Sequence, residues 1–472
     1  MSNEHSTALL KMSKGRKNLI QIGAICLVIS VACYGLALST LISPILEHHN
    51  AMEYVSLLSV LGSIGITIMT PIGGKLGDIF GRKAIVVWGG LLCGVFGIGI
   101  AYAPNILILS VCRVGVGLTQ GAFIAAPYII MGVIHEKKHV PRAMGYLAMA
   151  LSVGGFGGSI IAGILTDMGM LNVGIIFPII PLILGVLLIG LYYPNDKNNN
   201  KVSIDVGGII LLILSLVGIL FPINFGASMG WSHPLIWGGL LLGVLFTIAL
   251  IRWENQMESP IIPVKMFRHK EYLAFLIVSF IGYFYRGAMD VYSPLGAIRI
   301  MGVSTATAGS LQLPRTIITM VLPVLAGAWV SKNKNNIWKA LAITTGLVAF
   351  PMLIMGMATP GISVLLYFIP LAITGIAESY RGVSITPGAQ ACVKAEDIGV
   401  GTSLINFANS LSGSLAAAVY GVVYNSFTIT DPSDVNLITS GVNGVFLLAG
   451  VVSLIGFILV IVWVRPILKS PA

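Results

Sequence analysis

Fourteen apolar runs, each long enough to cross a lipid bilayer, leave this chain a single class of fold. They cover about 19–42, 54–72, 84–103, 106–134, 143–166, 172–193, 204–225, 235–251, 272–295, 304–331, 337–359, 362–388, 399–425 and 441–464. A spanning helix needs about 20 mostly apolar residues, and in hydrocarbon every backbone N–H and C=O must find an internal partner. Runs of this length meet that demand only as helices. Composition agrees: 56% of the 472 residues are hydrophobic and 9% charged, where a soluble chain carries roughly a quarter charged. An all-α polytopic membrane protein with 14 transmembrane helices is expected.

The formal charge of +10 invites a nucleic-acid reading, but placement of the basic residues removes it. With the N-terminus inside, the inner segments hold 22 of the 27 basic residues, from Lys11, Lys14, Arg16 and Lys17 to Arg465 and Lys469. The outer loops hold only Arg299. This is the positive-inside pattern, and it predicts a multi-pass cell-membrane protein with both termini cytoplasmic. The start is polar and basic and the first run is long enough to span, so no cleaved leader is expected. The five cysteines (Cys26, Cys33, Cys93, Cys112, Cys392) lie in or beside apolar runs without metal-ligand spacing. The histidines are scattered and there is no Walker loop. We expect no metal, no cofactor and no enzyme activity, and energy drawn from an ion gradient.

Two polar breaks, at 194–201 and 252–271, divide the chain into an N-terminal six-helix bundle (1–193), a linker with two inserted helices (194–271) and a C-terminal six-helix bundle (272–472). Between the second and third runs lies a charged, glycine-rich turn, Gly73-Gly74-Lys75-Leu76-Gly77-Asp78-Ile79-Phe80-Gly81-Arg82-Lys83. Gly74, Gly77 and Gly81 are expected to allow close approach and left-handed conformations, with Asp78, Arg82 and Lys83 forming a charge latch. A weaker echo stands at Gly327-Ala-Trp-Val-Ser331-Lys-Asn-Lys334.

This turn resembles the signature loop of the major facilitator superfamily. Asp205-x-x-Gly208, Trp231, Trp253-Glu254, Pro260-Ile-Ile-Pro263 and Phe267-Arg268 resemble its fourteen-helix drug/proton antiporter branch. The chain departs from that branch at Gly35, where an Asp stands nine residues before a proline (here Pro44). It departs again at Ser159 and Ala162, which replace a Pro and a Gly among Gly145, Gly154, Gly158 and Gly163, and around Met170-Leu171-Asn172. The resemblance implies two six-helix bundles that alternate access to a midplane site, with helices one, four, nine and twelve lining the cavity.

Ionisable residues within spans are costly and mark cavities or pairs. Six stand out: Arg113, Arg286, Asp290, Arg315, Glu378 and Arg381. Arg286 with Asp290, and Glu378 with Arg381, sit at spacings that share a helix face. Each is readable as a self-neutralised structural pair or as part of a working site. Arg315, after Pro314, is the candidate for an unpaired charge, or else bonds carbonyls freed by the proline. Glu378, then Asp290, are candidate proton carriers; Arg113 is a third coupling candidate by resemblance, or a packing residue. Arg286, Arg315, Arg381, Tyr283 and Tyr380 are candidate substrate contacts, and Tyr34, Tyr128, Tyr285 and Tyr292 could add amphipathic walls.

The expected function is proton-coupled secondary transport of an amphipathic organic compound, with an organic anion (bile-acid-like or another carboxylate) favoured by the arginine excess. The alternative is a multidrug/proton antiporter exporting lipophilic or cationic drugs. The expected partners are a small-molecule substrate, protons and membrane lipid, with the protein a monomer and no nucleic acid involved.

Overall fold

The computed structural model describes residues 12–51, 54–195, 205–257, 260–333, 335–394, 397–429, 431 and 434–469, and among them the regular structure is helical, without a strand. Residues 196–204 of the expected linker, and Lys11 and Lys334, lie outside the described residues. The helices are α1 (Lys14–His48), α2 (Val55–Phe80), α3 (Arg82–Ala101), α4 (Ile106–Ile134), α5 (Val140–Asp167), α6 (Leu171–Tyr192) and α7 (Val206–Met229). They continue as α8 (Pro234–Glu254), α9 (Lys270–Arg299), α10 (Leu313–Lys332), α11 (Asn336–Met355), α12 (Leu365–Ala391), α13 (Ile398–Thr428) and α14 (Val435–Leu468). Eleven described stretches are long and apolar enough to cross a membrane. Helices α2, α12 and α13, of 26, 27 and 31 residues, occupy the other three expected positions without meeting that measure.

Local signals set several starts. Asn105 Oδ1 accepts from the Ile108 amide at 2.9 Å, and Asp205 Oδ1 from Gly208 at 2.8 Å. Both satisfy donors that a helix N-terminus leaves open.

Apolar packing gathers one large cluster of buried residues within 20–193, with Ile398 of α13 packed against it, and others within 262–468. Between lipid-bathed helices little hydrophobic force remains, so close backbone contact through small residues holds them together. A Cβ at Gly117 of α4 would meet the Gly62 carbonyl of α2, and one at Gly73 would meet the Ala122 backbone. Gly154 and Gly158 of α5 press likewise on Ile29 and Cys33 of α1, while Gly163 has open space around it. Ser159, where the branch pattern has a proline, exchanges a hydrogen bond with Thr40 of α1 at 2.8 Å. The departure is thus accommodated as an extra α1–α5 contact.

The two sets of six helices meet along two seams of matching construction. In one, Gly74 of α2 lies against Ser403 of α13. In the other, Gly145 of α5 lies against the backbone of Pro323 in α10, and Gly327 of α10 against Pro141 and Arg142. The echo glycine at 327 therefore performs in the second half what Gly74 performs in the first. The inserted helices lie along the first seam: Leu212, Leu216, Leu220 and Leu250 cluster with Ile68 and Ile72 of α2, beside Phe407 and Leu411 of α13.

Candidate substrate and gating sites

The charged segment is less of a turn than its glycines imply. Helix α2 runs through Gly73, Gly74, Gly77 and Asp78 to Phe80, and the chain turns only at Gly81, whose φ of 89° is left-handed. The expectation of left-handed backbone at Gly74 and Gly77 is therefore corrected. Gly74 is small because a Cβ there would run into Ser403 Oγ, and around Gly77 there is only the Arg82 side chain at 3.9 Å.

Arg82 donates to Asp78 Oδ1 at 2.7 Å, with the guanidinium 4% and the carboxylate 19% exposed. A side chain at Gly399 would collide with that same carboxylate. Gly399 lies in the first turn of α13, so Asp78 presents its charge to the positive end of a helix from the other bundle. Lys83 is half-buried beyond the turn. Nearby, Gln390 of α12 donates to the Tyr128 carbonyl of α4 at 3.1 Å and to Thr402 Oγ1 at 3.0 Å. These contacts close the space between the bundles on the charged-segment side.

The second site is a charge network on α9, α12 and α13. Arg381 NH2 and Nε donate to the two oxygens of Glu378 at 2.7 and 3.0 Å. Arg286 NH1 reaches Glu378 Oε1 at 3.3 Å and its Nε reaches Asp290 Oδ2 at 3.3 Å. Tyr285 donates its hydroxyl to Glu378 Oε2 at 2.8 Å. Both expected pairs form, and Arg286 joins them by also reaching Glu378, so that four charges make one chain. Tyr283 lies beneath both guanidiniums, 4.8 Å from Arg381 and 5.5 Å from Arg286. Asn409 of α13 accepts from Arg381 at 3.4 Å and from Ser279 at 2.9 Å, closing the network.

Helix α9 changes pitch beside this network. Residues Ala288–Tyr292, which include Asp290, form a π-helical turn ahead of Pro294. Such single-turn bulges recur at functional positions because they re-aim the side chains they carry. Asp290 is the most open member, its side chain 48% exposed against 14% for Glu378.

Arg315 takes a different position. Pro314 falls in the first turn of α10, where a proline displaces no intrahelical bond. The alternative in which Arg315 bonds carbonyls freed by the proline thereby loses its basis. The residue is 8% exposed, and its Nε is buried without a hydrogen-bond partner. Its backbone packs on Gly375 of α12, one turn before Glu378, and its charge acts on both Glu378 and Tyr285.

Other expected residues lie elsewhere. Arg113 packs its guanidinium over Gly62, Cζ lying 2.8 Å from where a Cβ would stand, and donates to the Leu58 carbonyl of α2 at 3.3 Å. Tyr380 meets Trp329 of α10 edge-on at 5.6 Å. Tyr34 is fully buried against Gly97, and Tyr292 packs with Tyr420 and Tyr424, so these two are interior packing groups. Tyr128 is the exception from the first half, lying within electrostatic reach of Arg381, Tyr283 and Glu378. Asn409, Ser279, Ser403 and Gly399 complete the two sites and were not singled out from sequence. The polar run Asn406 to Ser414 within an otherwise apolar helix was the available signal.

Comparison with known proteins agrees with this architecture. The Major Facilitator Superfamily profile matches residues 23–417. Multidrug transporter protein MdtP of Bacillus subtilis is 24% identical over 436 residues, covering 88% of this chain and 78% of that protein. Multidrug resistance protein 3 of the same organism is 24% identical over 380 residues, covering 78% of this chain and 72% of that protein. Among solved structures, the human organic anion transporter MFSD10 (TETRAN) superposes with a TM-score of 0.69 at 12% identity, covering 95% of this chain and 100% of that one. The proton:xylose symporter XylE superposes with a TM-score of 0.68 at 14% identity, covering 96% and 97%. A profile spanning most of the chain settles the family: this multi-pass membrane protein belongs to the Major Facilitator Superfamily of transporters.

Proposed function

We propose that the protein is a proton-coupled secondary transporter that moves an amphipathic organic anion by alternating access. The observation that carries this reading is the buried Arg315, whose Nε lacks a hydrogen-bond partner beside a network in which Arg286 and Arg381 already share Glu378. A guanidinium in low dielectric is costly without an anion, and a substrate carboxylate supplies one. Tyr283, which is only half-buried, offers an aromatic face for the apolar body of the same molecule.

The geometry also supports a coupling step. In the arrangement described, both oxygens of Glu378 are held by cations, which is the ionised state of the carboxyl. An arriving anion competes for Arg286 and Arg381 and draws them from Glu378. A carboxylate deprived of its cations in a low-dielectric cavity binds a proton, so substrate and proton load together. Asp290, on the π turn and more open, is the second proton candidate. Arg113, pinned to α2, acts on the coupling through helix position and does not touch Glu378. The bundles 1–193 and 272–472 then rock about the site, with Asp78 and Arg82 stabilising the state closed on the charged-segment side. That side is the cytoplasmic one in our reading, in a monomer of fourteen spans.

Export of lipophilic or cationic drugs is the second reading, favoured by relatives named as multidrug transporters and efflux pumps. Substrate-induced pH change in proteoliposomes separates the two. Organic anions that carry protons in with them support the proposal; proton release driven only by cationic drugs overturns it.

A further inference from the structure

The inserted helices bring together two buried acids that the transport site does not use. Asp205 precedes α7 and Glu254 ends α8, and they are 9% and 3% exposed. One oxygen is well satisfied: Asp205 Oδ1 accepts from the Gly208 amide at 2.8 Å and from the Trp253 indole Nε1 at 2.9 Å. Asp205 Oδ2 and both oxygens of Glu254 are buried without a hydrogen-bond partner among the described residues. The amides of Ile261 and Ile262 face Glu254 but fall short of hydrogen-bond geometry. The two carboxylates converge on one point, because a side chain at Gly208 would touch Asp205 Oδ2 and, at 3.0 Å, Glu254 Oε1. Lys75 of α2 acts electrostatically on both acids, and on Asp78 and Asp397 as well.

Buried acceptors without donors are costly. Two carboxylates buried about the same spot resist double ionisation. A single proton resolves both problems. Bound to one oxygen, it turns that carboxyl into a donor to the other and leaves one negative charge facing the positive charge of Lys75.

We propose that Asp205 and Glu254 hold one shared proton, and that this proton fixes the inserted pair against the charged segment of α2. The proton is taken up from and returned to water, and no bond between heavier atoms changes. Its loss leaves two negative charges side by side in a buried place, and their repulsion drives the start of α7 and the end of α8 apart. Because the inserted helices pack on α2 and α13 together, that separation loosens the seal at Gly74 and Ser403. This second proton site stands on its own geometry and does not depend on which substrate the central cavity takes.

The test is infrared spectroscopy of the full-length protein in lipid bilayers, titrated from acid to alkaline buffer. The wild type should show a buried protonated-carboxyl band at neutral pH that disappears in Glu254→Gln and equally in Asp205→Asn. Absence of the band in the wild type, or its survival in either variant, overturns the sharing. Hydrogen exchange over 73–83 gives the mechanical readout, after correction for the intrinsic pH dependence. Corrected exchange should rise with pH in the wild type and stay slow throughout in Glu254→Gln, whose amide cannot lose the proton's role. Identical profiles for the two proteins would overturn the link to the charged segment.

Discussion

Arg381 grips Glu378 with two nitrogens, NH2 to Oε1 at 2.7 Å and Nε to Oε2 at 3.0 Å, from only three residues along the same helix. This bidentate contact fixes a planar geometry that a lysine cannot reproduce. It also makes Glu378 the point through which Arg286, Arg381 and Tyr285 are coupled.

Glu378→Gln should abolish gradient-driven accumulation while sparing exchange of substrate across the membrane. The amide keeps the size of the side chain and stands for a permanently protonated carboxyl. Accumulation and counterflow assayed on the same proteoliposomes check this. Normal, pH-dependent accumulation would move the coupling site to Asp290.

The gate predicts a steric rescue. Gly74→Ala places a methyl against Ser403, whose Oγ and Cβ both stand too close to admit it. Overpacking of this kind costs about 1–3 kcal/mol, a loss of the closed state of roughly 5- to 150-fold. Gly74→Ala with Ser403→Gly should recover most of it, because the obstructing side chain is gone. Cross-linking between cysteines placed on α2 and α13 reports the closed population in each variant. An equal defect in the single and double variants would mean that this contact is not what limits closure.

Asp78→Asn should slow transport without lowering the amount of protein in the membrane. It removes the partner of Arg82 and the charge set at the first turn of α13, but no apolar surface. A helix-end charge is worth up to ~2 kcal/mol in a partly buried setting, so a roughly tenfold loss of rate is expected. A well-expressed variant with wild-type rates would contradict the latch.

The helices were readable because apolar runs of spanning length have one backbone solution in a bilayer. The course of α2 was not. Gly73, Gly74 and Gly77 look like helix breakers, each costing about 1 kcal/mol against alanine. Two of them are needed for packing: Gly73 admits the Ala122 backbone and Gly74 admits Ser403. At the central site, the i,i+4 and i,i+3 spacings located both ion pairs on α9 and α12. The contact that joins them, Arg286 to Glu378, spans 92 residues of chain, and no local pattern encodes it. Tyr380 shows the converse limit. It is two residues from Glu378 in sequence, yet the helix turns it toward Trp329.

Arg113 and Gly62 provide a separation of position from charge. Gly62→Ala intrudes on the far end of a flexible guanidinium, so it should leave folding nearly intact while shifting Arg113 off the Leu58 carbonyl. Its transport defect should match that of Arg113→Gln in kind, with thermal stability in detergent close to wild type. Full transport in Gly62→Ala would show that the placement of Arg113 over α2 is not used.

The charge of the substrate is tested most directly at Arg315. Binding of one organic acid and of its uncharged amide, which share an apolar body, should be measured on the wild type and on Arg315→Gln. A buried guanidinium–carboxylate contact is directional and stronger than a neutral hydrogen bond. The proposal predicts a loss of ten-fold or more for the acid, about 1.4 kcal/mol, and little change for the amide. Equal losses for the two ligands, or tighter binding of cationic drugs with no loss for the acid, would contradict it.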